Sequence, residues 1–158
     1  MRYATVKYND VANAPGVAIS VYLQGCPHHC FNCFNQETWD FNGGKELTEE
    51  KIDEIISRLN DFGVQRSLCI LGGEPMCLQN LAATKMLVEK TRRKYPDKQI
   101  YVWTGYLYEQ LKDANLSTIN YILDNINVLV DGPFVDKLKD LSLELRGSSN
   151  QRVIYLKK

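Results

Sequence analysis

A chain of 158 residues can bury one sizeable core, so a single domain over 1–158 is expected. Its 44% hydrophobic and 24% charged content is that of an ordinary globular protein. Lys plus Arg and Asp plus Glu each total 19, and this balance excludes a strong long-range pull toward nucleic acid or an anionic membrane.

No apolar run approaches the ~20 residues that span a bilayer. Residues 1–8, MRYATVKY, lack the charged-then-apolar layout of a secretory signal. A cytoplasmic protein is therefore expected, with its five cysteines reduced. Reduced cysteines at close spacing read as metal ligands or nucleophiles rather than as disulfides.

Residues 17–24, VAISVYLQ, are rich in β-branched side chains and stop at Gly25, which predicts a buried strand. A polar, aromatic and cysteine-rich loop follows as far as Gly43 and Gly44. Thr48 then has the character of an N-cap, with Glu49 and Glu50 in a first helical turn. Ile52, Ile55, Ile56 and Leu59 fall on one helical face, and Gly63 is the expected stop. Residues 67–71, SLCIL, form a second strand that ends at Gly72-Gly73.

A helix is expected over 80–94, closed by Pro96, and a third strand over 99–104, breaking at Gly105. Shorter helices fit 107–113 and 117–124, a fourth strand fits 128–130, and a last strand fits 151–156. Alternating strands and helices imply parallel pairing through right-handed crossovers. The fold class is therefore α/β, with the active site at the C-terminal strand edge. About five or six strands cannot close an eight-unit barrel, so a partial, open β/α barrel with mostly parallel strands is expected.

The loop after the first expected strand contains Cys26, Cys30 and Cys33 in the spacing C-x3-C-x2-C. Three soft thiolates within eight residues can converge from one loop on zinc, copper(I) or an iron–sulfur cluster. A structural zinc site needs four closed ligands, and neither His28 nor His29 reaches the same metal without strain. Ferredoxin patterns recruit a fourth cysteine. Cys69, inside an apolar strand, reads as a core residue, and Cys77, after the Gly-Gly-Glu-Pro turn, as a packing or loop residue. Three ligands leave one iron open, which suits a catalyst better than an electron carrier.

With that loop and with Gly72-Gly73-Glu74-Pro75 at the next strand end, the chain resembles the radical S-adenosylmethionine enzymes. More narrowly, it resembles the small activating proteins of anaerobic ribonucleotide reductases. The segments that carry this likeness are GCPHHC (25–30), CFNQETW (33–39), WTGY (103–106), DGPF (131–134) and RGSSNQR (146–152).

The resemblance implies a [4Fe-4S] cluster on Cys26, Cys30 and Cys33, with S-adenosyl-L-methionine chelating the fourth iron. It places Gly72, Gly73, Glu74 and Pro75 at the methionine amino group, and backbone of Asn32 or Phe34 near the adenine. One electron would cleave the sulfonium, and the 5′-deoxyadenosyl radical would take a hydrogen from a glycine of the reductase large subunit. A flavodoxin-type electron donor is implied too. The chain departs from related activating enzymes at Ala14, where a glycine is usual, and at Ala18, where an arginine is usual.

Trp39, Trp103, Tyr106 and Phe134 are expected either to line the cleft or to serve as core. Asp131 either bonds a ribose hydroxyl or shapes the turn before Gly132-Pro133. Arg146, Asn150 and Arg152 flank or lie within a polar loop suited to a carboxylate or a partner's backbone. His28 and His29 read as solvent-exposed or supporting residues of the cysteine loop. Two other functions fit the same residues: activation of a different glycyl-radical enzyme or chemistry on a small molecule, and a zinc or iron–sulfur module without catalysis.

Overall fold

A computed structural model describes residues 1–157. Its elements in chain order are β1 (Arg2–Asp10), β2 (Ala18–Leu23), β3 (Lys45–Glu46), α1 (Glu49–Ser57), β4 (Ser67–Gly72), α2 (Leu81–Lys94), β5 (Ile100–Trp103), α3 (Tyr108–Ala114), α4 (Ser117–Asn125), β6 (Val128–Asp131) and β7 (Arg152–Tyr155). One seven-stranded sheet runs in the order β3-β1-β2-β4-β5-β6-β7. The central strands β2, β4, β5 and β6 pair in parallel. Both flanks are antiparallel: β1 on β2, β3 on β1, and β7 on β6.

The expectation of five or six mostly parallel strands is corrected to a mixed, open sheet of seven. Two of the additional pairings come from β1 and β3. β1 alternates half-buried Ala4, Val6 and Tyr8 with exposed Thr5, Lys7 and Asn9, the pattern of a strand with one wet face. β3 is two residues long and blunts that edge.

Each buried strand has two faces, and the sequence divides them. Ile19, Val21 and Leu23 of β2 join Leu68, Ile70, Ile100, Val102 and Leu129 against Ile52, Ile55, Leu87, Val88 and Ile122 of the helices. Fully burying each such side chain contributes about 1.5–3 kcal/mol. Ala18, Tyr22, Cys69, Leu71, Tyr101, Val128 and Val130 form a smaller cluster on the opposite face, with Trp103 and Val153 packed on it. No residue of α1–α4 belongs to that second cluster. Ala14 and Ala18 are both buried within it.

Thr48 caps α1 as expected, its hydroxyl accepting from the Lys51 N–H at 3.1 Å. The helix ends at Ser57 rather than at Gly63; a short 3-10 turn, Asp61–Gly63, follows it. α2 starts at Leu81, directly after a 3-10 turn (Leu78–Asn80), and its N-cap Asn80 does not cap it by side chain, the amide donating instead to the carbonyls of Gly25 and Glu74. Among the described residues, no helix is long and apolar enough to cross a membrane.

Candidate cluster and cofactor site

β2 ends at Leu23, and the chain leaves the sheet through Gln24 and Gly25 into the cysteine loop. The returning segment is laced to it. Gly25 N–H donates to Thr38 O at 2.6 Å, Cys26 N–H to Trp39 O at 3.1 Å, and the Gln24 amide to Glu37 O and Asp40 O. Between these anchors the loop arches. His29 (φ 49°) and Asn32 (φ 56°) take the left-handed backbone region, which Asn and His enter more readily than most residues. Cys33 N–H closes a turn onto Cys30 O at 3.1 Å.

β4 delivers the second half of the site. Gly73 N–H donates to Leu23 O and Glu74 N–H to Gly25 O, both at 2.8 Å, so the Gly-Gly-Glu-Pro turn and the start of the cysteine loop share backbone bonds. The approach is closer than any side chain would permit: a Cβ on Gly73 would lie 2.3 Å from Gly25 O.

These elements enclose a cavity of about 420 Å³ at the C-terminal edge of the parallel strands. Cys26, Cys30 and Cys33 line it together with Phe34, Gly72, Gly73, Glu74, Trp103 and Arg146. That size suits a small organic ligand. All five cysteines are free; Cys26 is buried and Cys30 and Cys33 half-buried.

Burial pushes the Cys26 thiol up to about 11, with the nearby Glu74 and Cys30 charges adding to it. Burial also raises Cys30, with Cys33 and Glu74 adding to it. Such thiols ionise readily once a metal neutralises them. Arg146 is the one Lys or Arg among the cavity-lining residues.

The donor set fits an iron–sulfur cluster. The three thiols line one cavity, none is in a disulfide, and no other cysteine is among its lining residues. Three soft thiolates without a fourth suit one thiolate per iron better than the closed four-ligand shell of a structural zinc. The other two cysteines are otherwise engaged. Cys69 lies on the buried sheet face beside Ser20, and burial raises it to about 12. Cys77 donates its thiol hydrogen to Glu74 O at 3.2 Å.

The other residues singled out in the sequence divide between the cavity lining and positions outside it. Asn32 is exposed and Pro75 buried, and neither lines the cavity; the Pro75 carbonyl accepts from Thr84 at 2.7 Å. Phe34 lines the cavity, 5.0 Å from the Phe134 ring. The Trp103 indole N–H donates to Leu145 O at 2.8 Å. Tyr106 lies behind the wall, edge-on to His28, and its hydroxyl is raised by burial and by the Glu74, Cys77 and Cys26 charges.

Asp131 is fully buried and engaged by Arg152 and by Tyr108 N–H. Arg152 also pairs with Glu109. This pair belongs to the β6–β7 frame rather than to the cleft, because each side chain already satisfies the other. Asn150 donates to Pro133 O at 2.7 Å and holds the 133–150 crossing. Arg146 remains in the cavity wall, its buried Nε–H without a protein partner.

Sequence reasoning gave Thr104 and Gly105 no role of their own and read His28 as solvent-exposed or supporting; all three line the cavity with Glu74. The Glu74 carboxylate is 1% exposed and accepts four bonds: from His28 Nε2–H at 2.6 Å, Gly105 N–H at 2.7 Å, Met76 N–H at 2.8 Å and the Thr104 hydroxyl at 2.8 Å. These donors are 46, 31, 2 and 30 residues away along the chain. A glycine after a strand and a histidine in a cysteine loop were the available signals.

Comparison with known proteins agrees with the site. The 4Fe-4S single cluster domain family matches residues 12–154. The chain is 41% identical to the anaerobic ribonucleoside-triphosphate reductase-activating protein of Salmonella typhi over 99% of this chain and 100% of that protein. It is 42% identical to the protein of the same name from Escherichia coli K12, over 94% of each chain. A more distant relative with that name, from Enterobacteria phage T4, is 32% identical over 97% of this chain and 93% of its own length. Matched from end to end, with three free thiols on one cavity, the chain belongs to the family of iron–sulfur anaerobic ribonucleoside-triphosphate reductase-activating proteins.

Proposed function

We propose that this protein is a radical S-adenosylmethionine activase that installs a glycyl radical on the large subunit of an anaerobic ribonucleoside-triphosphate reductase. The observation that carries the reading is one cavity lined by Cys26, Cys30 and Cys33 together with Gly72 and Gly73, with no fourth cysteine among its lining residues. The three thiolates hold the [4Fe-4S] cluster, and the strand end beside them receives the methionine end of S-adenosyl-L-methionine.

When bound, the cluster supplies the single electron that cleaves the sulfonium. Overall, one electron and S-adenosylmethionine enter, methionine and 5′-deoxyadenosine leave, and the partner's glycine loses one hydrogen. A flavodoxin-type protein is the proposed electron source, and the cytoplasm the proposed compartment.

The protein's own residues bind, orient and exclude water. Gly72 and Gly73 present backbone at the strand end, Phe34 and Trp103 wall the cavity with apolar surface, and Arg146 offers its unpartnered N–H to an anionic group. On this reading 1–158 is a single domain and its open sheet a partial barrel whose open side admits a segment of the reductase; helices packed on one face of a sheet that does not close support it.

Anaerobic reconstitution followed by reduction and addition of S-adenosylmethionine tests the reading. About four irons per chain and formation of 5′-deoxyadenosine are expected. Zinc in place of iron, or a reduced cluster that yields no 5′-deoxyadenosine, would sink it.

A further inference from the structure

Backbone bonds fix the ends of the cysteine loop, but its arch between Cys26 and Cys30 is reached by a side chain. His28 donates from Nε2 to Glu74 Oε1 at 2.6 Å. Its ring meets Tyr106 edge-on, with centroids 4.6 Å apart and planes at 72°. On another side it rests against Gly105, where a Cβ would come 2.6 Å from His28 Cδ2. The ring thus sits in a slot that the absence of a side chain at 105 creates.

Glu74 is an unusual anchor. It is a buried carboxylate with about four lone-pair directions, and four donors occupy them. Those donors come from the cysteine loop, from its own turn and from the end of β5. Burying such a charge is tolerable only with its bonds complete, so losing His28 leaves it short of a donor. With its acceptor sites filled, the carboxylate ties the loop to the strands.

We propose that His28 is a positioning residue: its bond to Glu74 holds the Cys26–Cys30 arch in the shape that receives the cluster and links that arch to the strand ends lining the ligand cavity. This rests on the cluster reading given above. Groups that orient metal ligands without touching the metal typically change metal retention by 10–100-fold when removed.

The test compares wild type, His28→Ala, His28→Gln and Gly105→Ala after anaerobic reconstitution. The readouts are the rate of iron release to EDTA and the electron paramagnetic resonance spectrum of the reduced cluster. His28→Ala is expected to release iron about 10-fold faster, and His28→Gln, which keeps an N–H donor, to stay within about 3-fold of wild type. Gly105→Ala keeps the histidine but crowds its ring, so it should also release iron faster and shift the spectrum. This variant covers the case in which His28→Ala fails to fold.

Release from His28→Ala at the wild-type rate would overturn the clamp. Equal acceleration in His28→Ala and His28→Gln would overturn it as well, assigning the effect to ring packing. A wild type that takes up no iron would overturn the cluster reading together with the clamp.

Discussion

Gly73→Ala probes the junction on which the site depends. The new methyl carbon would lie 2.3 Å from Gly25 O, 2.8 Å from Gly25 C and 3.0 Å from Gly25 N. Ordinary contact begins near 3.4 Å, so the two backbones must part by about 1 Å. No flexible side chain can absorb this, because all three atoms belong to the main chain next to Cys26.

Gly25 O accepts from Glu74 N–H at 2.8 Å and from the Asn80 amide at 3.2 Å, and both bonds stretch as the carbonyl moves. Overpacking costs about 1–3 kcal/mol and each weakened bond up to about 1 kcal/mol, giving about 2–4 kcal/mol in all. Against a typical stability of about 5–15 kcal/mol the variant stays folded. Urea unfolding of the metal-free protein, followed by circular dichroism, measures the loss. A change below about 0.5 kcal/mol, with full iron uptake, would refute the close-packed junction.

Further predictions concern separate parts of the molecule. Cys26→Ala, Cys30→Ala and Cys33→Ala should each abolish uptake of a complete cluster, whereas Cys69→Ala and Cys77→Ala should keep normal iron content; iron and sulfide analysis decides. Arg152→Ala leaves the buried Asp131 carboxylate with Tyr108 N–H alone and should cost about 1–3 kcal/mol in urea unfolding without changing iron content. Unchanged stability with weaker binding to the reductase would return Arg152 to the docking surface.

Asp10 gives a pH dependence. Burial pushes its carboxyl up, but hydrogen bonds from Ser20, Ala12 N–H and Asn13 and the Lys7 charge outweigh this and hold it below its ordinary 3.8. A carboxyl lowered in the folded state binds fewer protons there, so its contribution is complete above 3.8 and is lost as pH falls through the folded value. Asp10→Asn should therefore flatten the fall of the urea midpoint in that acid range, and parallel slopes for the two proteins would contradict this.

What the sequence made legible was local. Three cysteines within eight residues, directly after a β-branched run, and Gly-Gly-Glu-Pro after the next run carry their chemistry in their spacing. The capped start of α1 is legible for the same reason, since Thr48 and Lys51 are three residues apart. What stayed hidden was long-range. Glu74 is saturated by donors from 30 to 46 residues away, apart from Met76 N–H, so its anchoring of the cysteine loop shows in no local pattern.

Arg152 and Asp131, 21 residues apart, read separately as candidate cleft contacts; their pairing across β6 and β7 places them in the frame. β1 had a readable alternation, Val6 and Tyr8 against Lys7 and Asn9, that was weak beside the fully buried strands. β3, at two residues, has no periodicity to read.

The most direct measurement mixes the reconstituted protein anaerobically with its partner reductase, a reductant and S-adenosylmethionine, and records the electron paramagnetic resonance spectrum of the reductase. A glycyl-radical signal with wild type, absent with Cys30→Ala, is the predicted result. A wild type carrying a complete reduced cluster that leaves the reductase without a radical would contradict the account.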